Sequence, residues 1–259
     1  MPAGLHWLTY GLRIELTADT AALLRRARPR LPPGRPTAGR TRVDRRYAIA
    51  RRDGAVTIHR DRRLLVRSRD PLAALDALES DAQLYVAEHA RDRLFVHAGV
   101  VGWRGRAILL PGRSLSGKST LVAALLRAGA RYYSDEYAVL DARGHVRPYP
   151  RLLSLRRTQG RPRRIKPEAL GARAGKTPLP VGLVVVCRYH APSIGRRTRA
   201  PAPLSAGRCL LALLKNTVAA RSRAALAMAR LHLVVSSARA VVAERGEAAP
   251  FAATLVSWL

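Results

Sequence analysis

Residues 107–126 read Ala-Ile-Leu-Leu-Pro, then Gly112-Arg113-Ser114-Leu115-Ser116-Gly117-Lys118-Ser119-Thr120, then Leu-Val-Ala-Ala-Leu-Leu. An apolar run short enough for a strand, a nine-residue stretch whose first eight fit G-x4-G-K-[ST], and an apolar run that continues as a helix form a strand–loop–helix unit. Such a unit belongs in an α/β core, because the strand and the helix must bury their apolar sides against further layers. The two glycines let the loop curl until its N–H groups point at one anion. The helix opening near Lys118 adds its positive end to the same place. All nine residues, Gly112 through Thr120, are therefore candidate nucleotide-binding residues. Lys118 is placed to reach the β- and γ-phosphates, and Ser119 to offer a hydroxyl to Mg2+. The expected ligand is a nucleoside triphosphate with Mg2+.

The other 240-odd residues leave room for this unit to have a proper core. A chain of 259 residues, 48% hydrophobic, needs no disulfide or structural metal to fold. Two cysteines, Cys187 and Cys209, make neither a disulfide framework nor a four-ligand zinc site, and a reducing cytoplasm is the expected compartment. The longest apolar runs, such as Val181–Cys187, are far shorter than the roughly 18 residues of a membrane helix, so no membrane partner is expected. Met1–Leu16 lacks the basic start and long apolar block of a secretory signal.

Charge is the unusual number. There are 47 basic and 17 acidic residues, a net +30. Two readings stand side by side: a phosphate-rich partner, or a genome that favours Arg and Ala codons. Four residues are Lys (Lys118, Lys166, Lys176, Lys215), which leaves 43 Arg. On either reading the chain is expected to bind polyanions nonspecifically at low salt. Lys118 stands out against that background, as a compact ammonium kept where an Arg would be usual.

The chain falls into two parts by texture. Residues 1–92 read as a small α+β segment: a strand over Trp7–Thr17, a helix over Asp19–Ala27 capped by Thr17 or Asp19, and a loop over Pro29–Arg45. A hairpin closed by Asp53-Gly54 follows, then a third strand at Arg63–Val66 and a helix over Pro71–Ala90 with Leu72, Leu75, Leu78, Leu84, Val86 and Ala87 on its apolar side. Residues 93–259 hold strands at Leu94–Val101, Arg106–Leu110, Arg131–Tyr133, Tyr137–Asp141 and Val181–Tyr189. The helix Lys118–Ala128 is closed by Gly129. Arg156–Pro180 and His190–Pro203 read as polar inserts. The end reads as mostly helical, over Ala206–Asn216, Ala224–Leu231 and Ala248–Leu259.

Acids are scarce where the chemistry needs them. From Arg93 to Ala243 the acids are Asp135, Glu136, Asp141 and Glu168. A Mg·nucleotide enzyme needs a carboxylate by the metal, and a kinase needs another by the acceptor hydroxyl. Ser134-Asp135-Glu136 follows a strand, at the edge where α/β sheets form their ligand crevice. The expectation is Asp135 as the base and Glu136 toward the metal, with Ser119. Asp141 reads as a turn residue. His97, in Phe95-Val-His-Ala-Gly, is either a satisfied core residue or a site residue. Tyr132, Tyr133 and Tyr137 either stack on a base or pack the core.

His97-Ala-Gly-Val-Val, Leu109-Leu-Pro-Gly112, Gly117-Lys-Ser-Thr120 and Ser134-Asp-Glu136 together resemble the C-terminal domain of the HPr kinase/phosphorylase family. The closest likeness is to the shorter HPr-kinase-like proteins of bacterial gene clusters. The resemblance covers about Leu94–Asp141. It implies an α/β fold: a P-loop kinase domain similar to the phosphoenolpyruvate carboxykinase nucleotide domain, here behind the small N-terminal α+β segment. It also implies ATP and Mg2+ as cofactors and transfer of a phosphoryl group to a serine of a small protein or precursor peptide. By position it puts Lys118 and the loop on the phosphates, Ser119 and Glu136 near the metal, Asp135 in the place of the general base, and His97 in that of an active-site His. HPr kinases are oligomers, which the resemblance extends to this chain as an expectation. Glu136 stands where the family has Asp. No counterpart of the family's later Arg-rich signature is evident, and Arg221 or Arg223 is the candidate charge-stabilising guanidinium. Two other readings keep the same loop: a nucleotide-dependent binding module, associated with nucleic acid through its charge, and a small-molecule kinase.

Overall fold

The computed structural model describes residues 3–38, 42–112, 117–155, 161–189 and 201–258. The chain divides into two compact units, Met1–Asp92 and Arg93–Leu259. Each combines a sheet with helices, so the protein is α/β in class. No helix among the described residues is long and apolar enough to cross a membrane.

The first unit runs β1 (Ala3–Thr9), β2 (Leu12–Ala18), α1 (Ala21–Ala27), β3 (Arg35–Pro36), β4 (Arg45–Arg52), β5 (Ala55–Arg60), β6 (Arg63–Ser68) and α2 (Pro71–His89). Its sheet has the order β3-β1-β2-β4-β5-β6. The single strand expected over Trp7–Thr17 is instead a hairpin. Tyr10 and Gly11 both take positive φ, 47° and 81°, which is the backbone of a two-residue turn. Leu8, Tyr10, Leu12, Ile14 and Leu16 alternate straight through the turn in the sequence and hid it, although the buried side changes from Trp7 and Thr9 to Leu12, Ile14 and Leu16. The cap of α1 is Thr20, whose Oγ1 accepts the Leu23 N–H at 3.2 Å. Neither expected residue caps it: Thr17 lies inside β2, and Asp19 accepts the Arg51 N–H. Asp53 and Gly54 close the β4–β5 hairpin at φ 51° and 74°. Helix α2 starts behind Asp70, which accepts the Leu72 N–H. It buries Leu75, Leu78, Val86 and Ala87 as expected, but Leu72 and Leu84 face solvent, and Ala74 and Ala82 take the core positions.

The second unit continues with β7 (Leu94–Trp103), β8 (Arg106–Pro111), α3 (Lys118–Arg127), β9 (Arg131–Ser134), β10 (Tyr137–Leu140) and β11 (Val146–Arg147). Next come β12 (Leu153–Leu155), β13 (Arg163–Ile165), β14 (Val181–Tyr189), β15 (Ala202–Pro203), α4 (Ala206–Lys215), α5 (Ala224–Ser237), β16 (Arg239–Arg245) and α6 (Ala248–Val256). The sheet order is β11-β10-β7-β8-β14-β16-β15, with β9 also on β7. Strands β8, β14 and β16 are mutually parallel, while β7 runs antiparallel to β8 and β10. The C-terminal end is therefore not simply helical. Strand β16 lies between α5 and α6 and pairs along its own full length with residues Leu183–Tyr189 of the buried strand β14. Its Ala- and Glu-containing sequence has weak strand propensity, and pairing supplies what propensity lacks. The expected polar insert after Arg156 also holds structure: β13 pairs antiparallel with β12.

Alternate residues of the central strands feed two cores. Ile108, Leu110, Leu183, Val185 and Val241 pack with α3 and α6. Leu109 and Val184 pack on the other face with Cys209, Leu213 and Leu231 of α4 and α5. The result is three layers, helix–sheet–helix, with the parallel strands buried on both faces as such strands require. Phe95, Tyr137 and Tyr149 meet edge to face beneath the start of β7, an arrangement favoured by the ring quadrupoles.

Candidate functional site

Strand β8 ends at Pro111, and the Gly112 N–H donates to His97 O at 3.2 Å. Of the expected phosphate residues, Arg113, Ser114, Leu115 and Ser116 lie outside the described residues. Gly117 precedes α3 at φ 79°, in the left-handed region that favours glycine. A Cβ there would also run into the guanidinium of Arg245. The N-cap residue Gly117 has no side chain to cap α3, and the first-turn N–H groups of a helix carry the polarity that draws an anion. The Lys118 ammonium folds back on the loop and donates to Gly112 O at 2.7 Å. Burial lowers the Lys118 pKa from its ordinary value, against the opposing pull of the Glu136 and Asp135 carboxylates. Thr120 lies in the first turn of α3.

The acids sit on a reversal built by one serine. Ser134 Oγ accepts the N–H groups of both Glu136 and Tyr137, at 3.1 and 2.9 Å. That side chain replaces ladder bonds and bends the chain between β9 and β10. Asp135, 5% exposed, accepts from Tyr132 OH at 2.9 Å, Ser119 Oγ at 3.2 Å and the Ser154 N–H at 3.1 Å. Burial and the neighbouring Asp135 hold the Tyr132 hydroxyl protonated, as a donor. Glu136 is different: its side chain is 37% exposed, and Oε1 stands 3.7 Å from His97 Nδ1. The hydroxyl expected to share a metal with Glu136 is thus bonded to Asp135.

His97 is held from two sides. Its N–H donates to Asn216 O at 2.7 Å, and Tyr137 packs against its ring at 4.7 Å. Burial, and then the Lys118 ammonium, lower its pKa below the ordinary 6.5. At neutral pH it is therefore an uncharged imidazole, and its approach to Glu136 is not an ion pair. The linkage has a definite sign. The unfolded chain takes up this proton at the ordinary 6.5 while the folded chain waits for a lower pH, so stability rises with pH between the two values. The His97 ring should titrate by NMR with a midpoint below 6.5, and His97→Gln should remove that part of the stability loss as pH falls through the midpoint.

His97, Lys118, Ser119, Asp135 and Glu136 are thus brought together at the C-terminal end of β8. Tyr132 and Tyr133 are core residues whose hydroxyls bond Asp135 and Thr177 O, and Tyr137 supports His97. Asp141 accepts the Arg143 and His145 N–H groups, as a turn residue does. Of the candidate guanidiniums, Arg223 donates to Arg93 O and Arg221 faces solvent. The residue missed from sequence is Arg245, 4% exposed at the end of β16, whose Nη2 donates to Gly117 O at 3.1 Å. In a chain with so many arginines, recognising β16 was the one available signal. Burial pushes the Cys187 thiol up to about 12 and the Cys209 thiol to about 11, so neither is a nucleophile at neutral pH.

Among the described residues no group of three or more His, Cys, Asp and Glu is arranged to hold a metal. Mg2+ on a nucleotide needs one or two protein oxygens, with phosphates and water supplying the rest. Ser119 Oγ and Asp135 Oδ2, in contact beside the start of α3, fit that need. No protein-family model matches the chain, and a comparison with curated proteins finds no match.

Proposed function

We propose that the chain is an ATP·Mg2+-dependent phosphotransferase of the HPr-kinase-like P-loop type, acting in the cytoplasm on a serine hydroxyl of a small protein or precursor peptide. The observation that carries this reading is the convergence of Lys118, Ser119, Asp135, Glu136 and His97 at one uncapped helix N-terminus. The loop N–H groups and Lys118 hold the phosphates. Ser119 and Asp135 hold Mg2+, which supplies charge neutralisation at the transferred phosphoryl group. Glu136, open to solvent beside a neutral His97, takes the acceptor proton. This exchanges the roles that sequence alone suggested for Asp135 and Glu136. A Glu at this place brings one more methylene of reach toward an acceptor.

The net charge of +30 favours a second reading, a nucleotide-dependent binding module on nucleic acid. Incubation with γ-labelled ATP, Mg2+ and a host lysate separates the two. The kinase leaves label on serine of an acceptor, and Lys118→Ala removes it. Nucleotide binding without any transferred label, with sequence-dependent DNA binding that survives physiological salt, would establish the module instead.

A further inference from the structure

Arg245, the last residue of β16, is 4% exposed, and among the described residues it is the one buried arginine. Its guanidinium spans two carbonyls. Nη1 donates to Gly246 O at 3.2 Å and Nη2 to Gly117 O at 3.1 Å. Gly117 O also accepts the Leu121 N–H at 3.2 Å, the first bond of α3. Two donors from two elements therefore hold one carbonyl. The peptide between Gly117 and Lys118 is trans and planar, so its N–H points opposite to its C=O. With the carbonyl turned into α3, the Lys118 N–H is turned out of the helix, toward the place of the phosphates. Gly117, at φ 79°, has backbone freedom that no other residue type has, and the bond from β16 limits it. The sheet in turn fixes Arg245. It pairs with Tyr189 at the end of the β14–β16 ladder. Behind it α6 buries Ala248, Ala252 and Leu255 in one core with Leu121 and Leu125 of α3.

We propose that Arg245 is a positioning residue for the phosphate loop: by holding Gly117 O it aims the Lys118 N–H at the phosphates. This role rests on the phosphotransferase reading above, and in it Arg245 acts through Gly117 rather than on the reacting groups. A guanidinium suits the place because its planar fork reaches Gly117 O and Gly246 O at once. An ammonium is a point charge on a flexible stem and lacks that fork. Glycine is required at 117 for the same contact, since a Cβ there would displace the guanidinium.

The test uses the full chain with inorganic tripolyphosphate and Mg2+ as the probe, by calorimetry. Arg245→Met fills the space and removes the donors. Its tripolyphosphate affinity should fall about tenfold, the size of one lost hydrogen bond from a charged group. Arg245→Lys, which can keep one bond to Gly117 O, should lose about threefold. In both variants KM for ATP should rise by the same factors while kcat stays within about threefold, because the loop binds ground state and transition state alike. A purely structural arginine would lower the thermal midpoint and leave the anion affinity of the folded protein unchanged. Arg245→Met affinity within about twofold of wild type therefore overturns the proposal. So does a loss confined to kcat, which would make Arg245 a group acting on the transferred phosphoryl. If Arg245→Met does not fold, Arg245→Lys decides, and affinity equal to wild type overturns the proposal. If the wild type binds no tripolyphosphate and transfers no label, the phosphotransferase reading itself falls, an outcome distinct from failure of the Arg245 assignment alone.

Discussion

Lys118→Ala should lower phosphoryl transfer by about 10²–10³-fold, the usual loss when one preorganised donor to a developing charge is removed. Lys118→Arg should not restore it. The ammonium sits half-buried against Gly112 O, with the Asp135 and Glu136 carboxylates near enough to act on its pKa. A guanidinium is planar and longer, and its fork cannot replace a point charge inside a ring closed between Gly112 and Lys118. The Arg variant is the sharper of the two because the chain uses Arg in 43 of its 47 basic positions. Labelled transfer and ATP titration on the same samples give the result. Activity close to wild type in Lys118→Arg would show that any cation serves at this position and that the compact ammonium is not itself required.

Glu136→Gln and Asp135→Asn should fail in different ways. Glu136→Gln should lose about 10²–10⁴ in turnover, as removal of a general base does, with ATP affinity and Mg2+ requirement unchanged. Its carboxylate is partly exposed and stands 3.7 Å from His97 Nδ1, and its neutralisation leaves the three donors on Asp135 in place. Asp135→Asn should instead weaken Mg·ATP binding and raise the Mg2+ concentration needed for half-maximal rate. It should also lower thermal stability, because the side chain is buried under three donors and an amide NH₂ would face one of them. The distinction is read from turnover and apparent affinity for Mg2+ in each variant. Turnover lost in Asp135→Asn at unchanged Mg2+ dependence, with Glu136→Gln active, would return the base to Asp135.

The difference between these two carboxylates shows where reading by sequence stops. Adjacent acids after a strand were the expected site, and Ser134 bends the chain there so that Asp135 meets Ser119 and Glu136 meets His97. Which acid meets Ser119 depends on Tyr132 and on the Ser154 N–H of β12, a strand that local pattern did not reveal. Arg245 is a similar case. Its place under Gly117 follows from β16 pairing with β14, and that pairing draws on burial between two helical layers rather than on the propensity of Arg-Ala-Val-Val-Ala-Glu-Arg. The Tyr10-Gly11 turn was missed for a related reason, since Tyr at positive φ is tolerated only where the flanking strands are held together.

Local chemistry was enough for what depends on neighbours in the chain. Pro111, Gly117, Lys118 and the apolar run after Thr120 specify the end of a strand, a left-handed glycine and a helix, because backbone freedom and side-chain burial act there over a few residues. The Asp53-Gly54 hairpin and the start of α2 at Pro71 were legible on the same grounds. The tertiary structure alone decided the order of β8, β14 and β16, the contact of Arg245 with Gly117, and the different partners of Asp135 and Glu136. Each of these brings together residues between about 15 and 130 positions apart, and sheet pairing with two-sided burial selects such partners from many that are locally equivalent.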